Sequence, residues 1–579
     1  MSEISTFRYG CAILCLILYI IILTAAYSGF FEILLKFRHR VILSDHNQSS
    51  ISTNNVETNH SDNENNEINN ENDELLEGVT IIRPIKGIDP EMNSCLESSF
   101  LQNYPKSKIQ LLFCIDNPKD SSIPLIKKLI SKYPTIESEI LISENYNPKT
   151  KSSSDHFGPN PKVNNLSKGF LKAKYDILWI LDSNVWTSSN ILRNSVITLN
   201  SNLNNGRQVS KKRPVKLVHH VPLAICCDLN NLNSIGISNN SNNEIILNDL
   251  ESNVTPIQSE DDCSDNSMNS QLTKRKFIAS SSSTTNSSTN NSKPSPSSRS
   301  SLYSSNNKSL GAKLDEMFLH TSHSKFYISL NNLSIAPCVN GKSNIYRKSD
   351  LDQSVKLIPF KNSNFFKDPQ VKESASIFSN LGIGNSIKFF ARYIGEDNMI
   401  GIALWENCNG RTGLTRDLVI QPLNSSNNSI TDYIKRRVRW LRVRKYMVLL
   451  ATLIEPTTES IICGIYGNFA ISTLFFNKWF SIKLFIFHMI IWCLTDLIQY
   501  KILNNHIKSH INIIYLPKWI EKFPSLNLKS MVEIFQWFKI WLLREILALP
   551  IWIIAMFGHE IDWRGKPFKI KKDLTAEEL

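Results

Sequence analysis

The sequence predicts an α/β domain with a mostly parallel sheet, held between an N-terminal transmembrane anchor and C-terminal membrane helices. Three observations predict it. Short continuous apolar runs such as Ile177–Leu181, which stops abruptly at Asp182, alternate with helical segments. Strands that are apolar on both faces belong to parallel sheets covered by helices. An apolar run from Cys11 to Leu35 is long enough to cross a bilayer, and the last quarter of the chain is apolar again.

The elements follow in order. Residues 1–40 form the anchor. Lys36, Arg38, His39 and Arg40 come directly after the apolar run, and basic flanks stay on the cytoplasmic side, so the N-terminus is expected in the lumen and the bulk of the chain in the cytosol. A cleaved signal peptide is the rival reading because Ala25 and Ala26 are small, but the run continues apolar past them. Residues 41–77, rich in Asn, Ser, Asp and Glu, read as a linker unable to bury enough apolar surface to fold. Residues 78–229 carry expected strands at Val79–Ile82, Gln110–Ile115, Glu139–Ile142 and Ile177–Leu181, with a helix at Pro124–Lys132.

Residues 230–312 are an Asn/Ser-rich tract, read as a disordered insertion between the two parts of the domain, since ordered pattern resumes on both sides. Residues 313–446 complete the domain, with a further irregular stretch expected near Asn362–Asn380. Residues 447–560 hold the candidate membrane segments Ile461–Phe476, Leu484–Tyr500 and Trp537–Phe557. Each is short or interrupted, one by Asp496 and another by Lys539, Arg544 and Glu545, so some are expected to be re-entrant or interfacial. Residues 561–579 read as a polar tail.

The formal net charge of +12 suits an anionic membrane surface or a phosphate-bearing substrate. The strong apolar segments favour these over nucleic acid, and no nucleic-acid partner is expected. The eleven cysteines show no metal-ligand or disulfide spacing and read as reduced thiols, in keeping with a cytosolic domain.

Four features carry chemistry together. They are Asp116-Asn117-Pro118-Lys119-Asp120 after a strand, Asp182-Ser183-Asn184 after the run Ile177–Leu181, Gly395-Glu396-Asp397 before an apolar segment, and Arg436-Arg437-Val438-Arg439-Trp440. Sugar-nucleotide chemistry explains why such groups would cooperate. A strand-end carboxylate can hold a divalent cation against phosphate oxygens. A second carboxylate can take the proton of an attacking hydroxyl. A planar guanidinium complements a departing diphosphate. Singly, each has a plainer reading: a turn former, a carboxylate pair at a helix N-terminus, or a cationic helix from Lys435 to Lys445 lying on anionic lipid.

The local wording resembles a known family. Asp, Asp, Asp and then (Gln/Arg)-x-x-Arg-Trp is the motif order of inverting, GT-A-like glycosyltransferases, and the sequence is similar to ceramide glucosyltransferases in particular. The resemblance rests on Arg83-Pro84-Ile85-Lys86-Gly87, Phe113–Asp116, Asn160–Leu166, Tyr175–Ser183, Thr321-Ser322-His323 with Phe326–Ser329, Tyr393–Asp397, Arg436–Trp440 and Glu455-Pro456. It implies a GT-A-like nucleotide-sugar-binding domain that moves glucose from UDP-glucose to ceramide at a Golgi or endoplasmic reticulum membrane. It implies Asp120 as the first-motif aspartate, with Asp116 as the competing candidate, and Asp182 as a metal or diphosphate ligand. Asp397 becomes the base, and Arg439 and Trp440 the diphosphate and acceptor-side pair. Lys162, Asn164, His323 and Arg436 become substrate-side residues. The expected cofactor is Mg²⁺ or Mn²⁺. Asp182-Ser183-Asn184 departs from the Asp-x-Asp of many such enzymes, and Asn184 adds an amide oxygen but no charge. A processive polysaccharide synthase shares the motif order, and a non-catalytic membrane scaffold is the rival of a different class.

Overall fold

A computed structural model describes residues 6–38, 76–144, 146–147, 155–227, 310–424, 428–508, 516–521, 523, 529–563, 566–571 and 573–579. The linker and the insertion lie almost wholly outside these residues, as do His39 and Arg40.

The domain is built on eight strands: β1 (Val79–Ile85), β2 (Ile109–Ile115), β3 (Glu137–Ile142), β4 (Ile177–Leu181), β5 (Trp186–Thr187), β8 (Val215–Cys227), β9 (Ser343–Arg347) and β10 (Arg411–Asn424). Leu203–Asn204 (β6) and Arg207–Gln208 (β7) form a separate ribbon. The sheet order is β3-β2-β1-β4-β9-β8-β10-β5. β3, β2, β1 and β4 run parallel, as the continuous apolar strands predict. β9 is antiparallel to both β4 and β8, so the sheet is mixed beyond β4. Every residue of β2 and β4 is buried, whereas edge strand β3 is nowhere fully buried and presents Glu137 and Glu139, charges that discourage further pairing at a free edge.

The strands and helix expected before Asp182 are present, three of the five starting one or two residues earlier. Two expectations need correction. Asn362–Asn380 is not irregular: Pro369–Asn380 is a helix whose start is capped by Asp368, with Val371 and Ala375 buried. Its largely polar composition masks the two anchoring positions. The tail is not featureless either, since Glu560–Trp563, Lys566–Ile570 and Ala576–Glu578 form an antiparallel sheet.

Among the described residues three helices are long and apolar enough to cross a membrane: Thr6–Lys36, Ile482–Lys508 and Met531–Phe557. The last two have 27 residues each, about 40 Å of helix, and are longer than the sequence runs implied. Of the interrupting charges, Asp496, Arg544 and Glu545 are paired within the protein, whereas Lys539 is exposed and lies over the Phe535 ring. Lys325 Nζ lies 2.6 Å from Asp496 Oδ1, and Arg544 lies 2.8 Å from Glu459. Ser460–Phe476 is bent by 82° from Leu449–Thr458, the geometry of a broken span or a re-entrant loop. The anchor packs closely on the domain. A Cβ at Gly29 would lie 2.0 Å from the Lys325 carbonyl oxygen, so the crossing needs glycine there.

Candidate active site

The site gathers at the carboxyl end of β4, where ligands of open α/β sheets bind. Asp182 follows the last residue of that strand. Its amide donates to the Lys342 carbonyl (3.1 Å), and its own carbonyl accepts from Arg83 (2.7 Å). Arg83 is fully buried and also reaches the carbonyls of Val185 and Cys95 and the Ser99 hydroxyl. The backbone around Asp182 is therefore fixed from two sides.

Lys162 comes from the helix Pro161–Lys172, whose start is set by Asn160: its side-chain oxygen accepts from the amides of Lys162 and Val163, with Pro161 in the first turn. Its ammonium lies 2.9 Å from Asp182 Oδ1 and 3.1 Å from Glu396 Oε1, and donates to the Gly341 carbonyl at 3.0 Å. The other Asp182 oxygen lies 3.2 Å from Lys342 Nζ, which also donates to Asn184 Oδ1 at 3.3 Å. Burial works against ionisation of Asp182, but Lys162 and Lys342 outweigh it and hold the carboxyl below its ordinary range.

Glu396 and Asp397 open the helix Glu396–Asn407. Asn160 donates to the second Glu396 oxygen at 2.9 Å, so Glu396 is fixed by two partners. Asp397 stays partly open to the cleft. Burial, then the Glu396 charge, push its carboxyl up to about 7. A Cβ at Gly341 would lie 3.3 Å from Asp397 Oδ2 and 3.2 Å from Lys162 Nζ. The glycine keeps the space beside the carboxylate free.

The two first-motif candidates are placed differently. Asp120 accepts from the Gly87 amide with one oxygen and from the Ser122 amide and hydroxyl with the other, tying the Arg83–Gly87 loop to the β2 end. Asp116 receives Ser143 (3.2 Å) and Lys168 (3.4 Å) on one oxygen, and its side chain is 31% exposed. Asn164 accepts from the Phe157 amide and donates to the Gly158 carbonyl, holding a neighbouring loop.

The basic helix Ile430–Met447 starts with a Ser429–Asp432 capping box and ends against Gly395, where a Cβ would meet Met447 Sδ at 3.1 Å. Arg436 is paired with Asp315 and reaches Asn428. Arg439 and Trp440 are partly buried on the same helix. Arg437 turns inward over the Phe318 ring at 3.5 Å and lies 3.5 Å from Glu455, which also pairs with Arg444 at 2.8 Å. His323 ends a π-helical turn, Leu319–His323. It stacks on Tyr327 at 5.1 Å, and its Nδ1 is buried without a hydrogen bond. Burial, reinforced by Arg437 and Arg444, lowers its pKa to about 3, so the ring is neutral. A small cavity sharing Phe318 with His323 is also lined by Arg437, Glu455, Glu459 and Trp552.

The structure thus joins Lys162 and Asp182 directly and brings Asp397 into the same cluster. It adds Glu396, Gly341 and Lys342, which sequence reasoning did not assign. Lys342 carries no motif, and only the pairing of Leu181 with Ser343 brings it to Asp182. Among the described residues no three His, Cys, Asp or Glu side chains are grouped to hold a metal ion. Asp182 and Asn184 offer one carboxylate and one amide oxygen, so a cation here would need further oxygens from a substrate.

The site is a strand-end carboxylate clamped by two lysines beside a second aspartate, set at the end of the parallel strands of a GT-A-like α/β domain. The chain belongs to glycosyl transferase family 21, whose model matches residues 47–207 and 383–576. It is 61% identical to a ceramide glucosyltransferase of Candida albicans, over 100% of this chain and 99% of the relative. It is 42% identical to one from Komagataella phaffii, over 98% and 92%, and 21% identical to ceramide glucosyltransferase 3 of Caenorhabditis elegans, over 86% and 74%. Among solved structures it matches the mannosyltransferase PcManGT of Pyrobaculum calidifontis in complex with GDP-Man and Mn²⁺, with a TM-score of 0.30 and 9% identity over 93% of this chain and 97% of that one. It also matches S. aureus TarS residues 1–349 with UDP-GlcNAc, with a TM-score of 0.27 and 9% identity over 85% and 96%.

Proposed function

We propose that this chain transfers glucose from UDP-glucose to the primary hydroxyl of ceramide, with inversion, on the cytosolic face of a Golgi or endoplasmic reticulum membrane. The observation that carries the reading is the placement of Asp397 beside the Lys162–Asp182 pair, in a chain of family 21 with relatives named for this reaction.

Asp397 accepts the hydroxyl proton as the acceptor oxygen attacks the anomeric carbon, and the bond from that carbon to the diphosphate breaks on the opposite face. A carboxyl raised toward 7 is well matched to that task, because it holds the proton it receives while a substantial fraction stays ionised near neutral pH. Glu396 fixes Lys162, and Lys162 fixes Asp182. A divalent cation, Mg²⁺ or Mn²⁺, brought in with the diphosphate would take protein oxygens from Asp182 and Asn184 and offset phosphate charge. Asp116 with Lys168 offers a polar pair to the nucleoside end. Arg439 and Trp440 complete the diphosphate and acceptor side, and His323 with Phe318 and Tyr327 forms an uncharged wall next to the membrane helices. Ceramide enters laterally, its tails staying in lipid.

Purified full-length protein, labelled UDP-glucose or UDP-galactose, and defined ceramides test the reading. A chloroform-soluble product formed from UDP-glucose supports it. An insoluble polymer would point to a polysaccharide synthase, and no product from either donor would point to a scaffold.

A further inference from the structure

We propose that Lys342 is a leaving-group residue, an ammonium that binds the diphosphate of the nucleotide-sugar donor. The inference rests on placing that diphosphate at Asp182, as in the reading above.

Lys342 and Lys162 both clamp Asp182, but they are not equivalent. The three ammonium protons of Lys162 have three acceptors within 3.1 Å: Asp182, Glu396 and the Gly341 carbonyl. That lysine is saturated, and its partners are groups of the protein. Lys342 has two acceptors, Asp182 Oδ2 at 3.2 Å and Asn184 Oδ1 at 3.3 Å, both long for charge-assisted bonds. Among the described residues one proton has no acceptor, and the side chain is 21% exposed.

Its backbone is not free to drift. Asp182 donates to its carbonyl, its own amide donates to Asn340 Oδ1, and the next residue enters the β4–β9 ladder. A fixed main chain with an under-used ammonium at its tip is a preorganised cation.

The two oxygens that hold this ammonium, Asp182 Oδ2 and Asn184 Oδ1, are also oxygens that a divalent ion at Asp182-Ser183-Asn184 would use. Two occupied states follow. Without a cation, the ammonium stays on Asp182 and directs its open proton to a phosphate oxygen. A cation held by Asp182 and Asn184 would free the ammonium from both and leave it to the phosphate. The electron pair of the broken bond from anomeric carbon to oxygen remains on the diphosphate, and the acceptor's proton goes to Asp397. Lys342 supplies charge only, which is why the chain can use an Asp-Ser-Asn segment in which the third residue is uncharged.

The test compares UDP with uridine by ligand-observed NMR on the detergent-purified full chain, in chelator and in Mn²⁺. Uridine affinity senses the fold but not the phosphates, so it is the internal control for folding. Lys342→Met is expected to lower UDP affinity in chelator about tenfold, leave uridine unchanged, and make UDP binding depend more steeply on Mn²⁺. Lys342→Arg is expected to keep most of the UDP preference. Lys342→Gln replaces the Met variant should that one lose uridine binding. An unchanged ratio of UDP to uridine affinity in the neutral variant overturns the role of Lys342. If Lys162→Met narrows the ratio while Lys342→Met does not, only Lys342 is misassigned. If neither does, the placement of the diphosphate at Asp182 fails with it.

Discussion

The ammonium of Lys162 lies 3.1 Å from Glu396 Oε1, tying the helix that follows Asn160 to the first turn of the helix that carries Asp397. Two lysines thereby balance Asp182 and Glu396, and Asp397 is the carboxylate left over in the cluster. Its raised pKa follows from burial first and from Glu396 second.

That charge arrangement sets the pH dependence. Asp397 must be ionised to accept a proton, and its carboxyl is raised to about 7. The rate of transfer is therefore expected to fall as pH drops through about 7, well above the ordinary carboxylate range. Glu396→Gln removes one of the two main causes, so the acidic limb of the kcat/KM profile, which reports the free enzyme, should move to lower pH. Initial rates between pH 5 and 9 check this, and a limb that stays in place contradicts it.

Gly341→Ala places a methyl 3.2 Å from Lys162 Nζ and 3.3 Å from Asp397 Oδ2. Small displacements of reacting groups are expensive: about a hundredfold for one of about 1 Å. The variant is expected to lose roughly ten- to a hundredfold in kcat with little change in melting temperature. Steady-state kinetics beside a thermal melt separate this from a folding defect.

Lys325 and Asp496 form an ion pair at 2.6 Å, with side chains 4% and 0% exposed, and Trp541 donates to the second Asp496 oxygen at 2.9 Å. Removing one partner of such a pair strands a buried charge and costs about 3–5 kcal/mol. Lys325→Met should therefore lower the melting temperature in detergent markedly, and adding Asp496→Leu should restore much of the loss. A double variant no more stable than the single one would contradict the pairing.

Legibility from sequence followed the range of the interaction. β4 and the Asp182 that ends it stood out because five apolar residues in a row stop at a charge. The membrane anchor was equally plain. β8 and β9 were not, since their partners lie far along the chain and the insertion separates them. Lys342 was invisible for the same reason: its neighbour Ser343 meets Leu181 only through the sheet. The helix Pro369–Asn380 was hidden by its polar composition. The resemblance put Asp120 ahead of Asp116, but spacing could not show that Gly87 and Ser122 occupy the oxygens of Asp120. Arg437, the motif arginine that turns inward, was passed over because spacing alone cannot say which way a helical side chain faces.

The most direct test of the central claim is glucosyl transfer by Asp397→Asn, measured on purified protein with labelled UDP-glucose and a defined ceramide, alongside UDP binding. General-base removal costs about a hundred- to ten-thousandfold. The expected result is a loss of that size in kcat with UDP affinity retained. Glucosylceramide formation at the wild-type rate in Asp397→Asn would contradict the account.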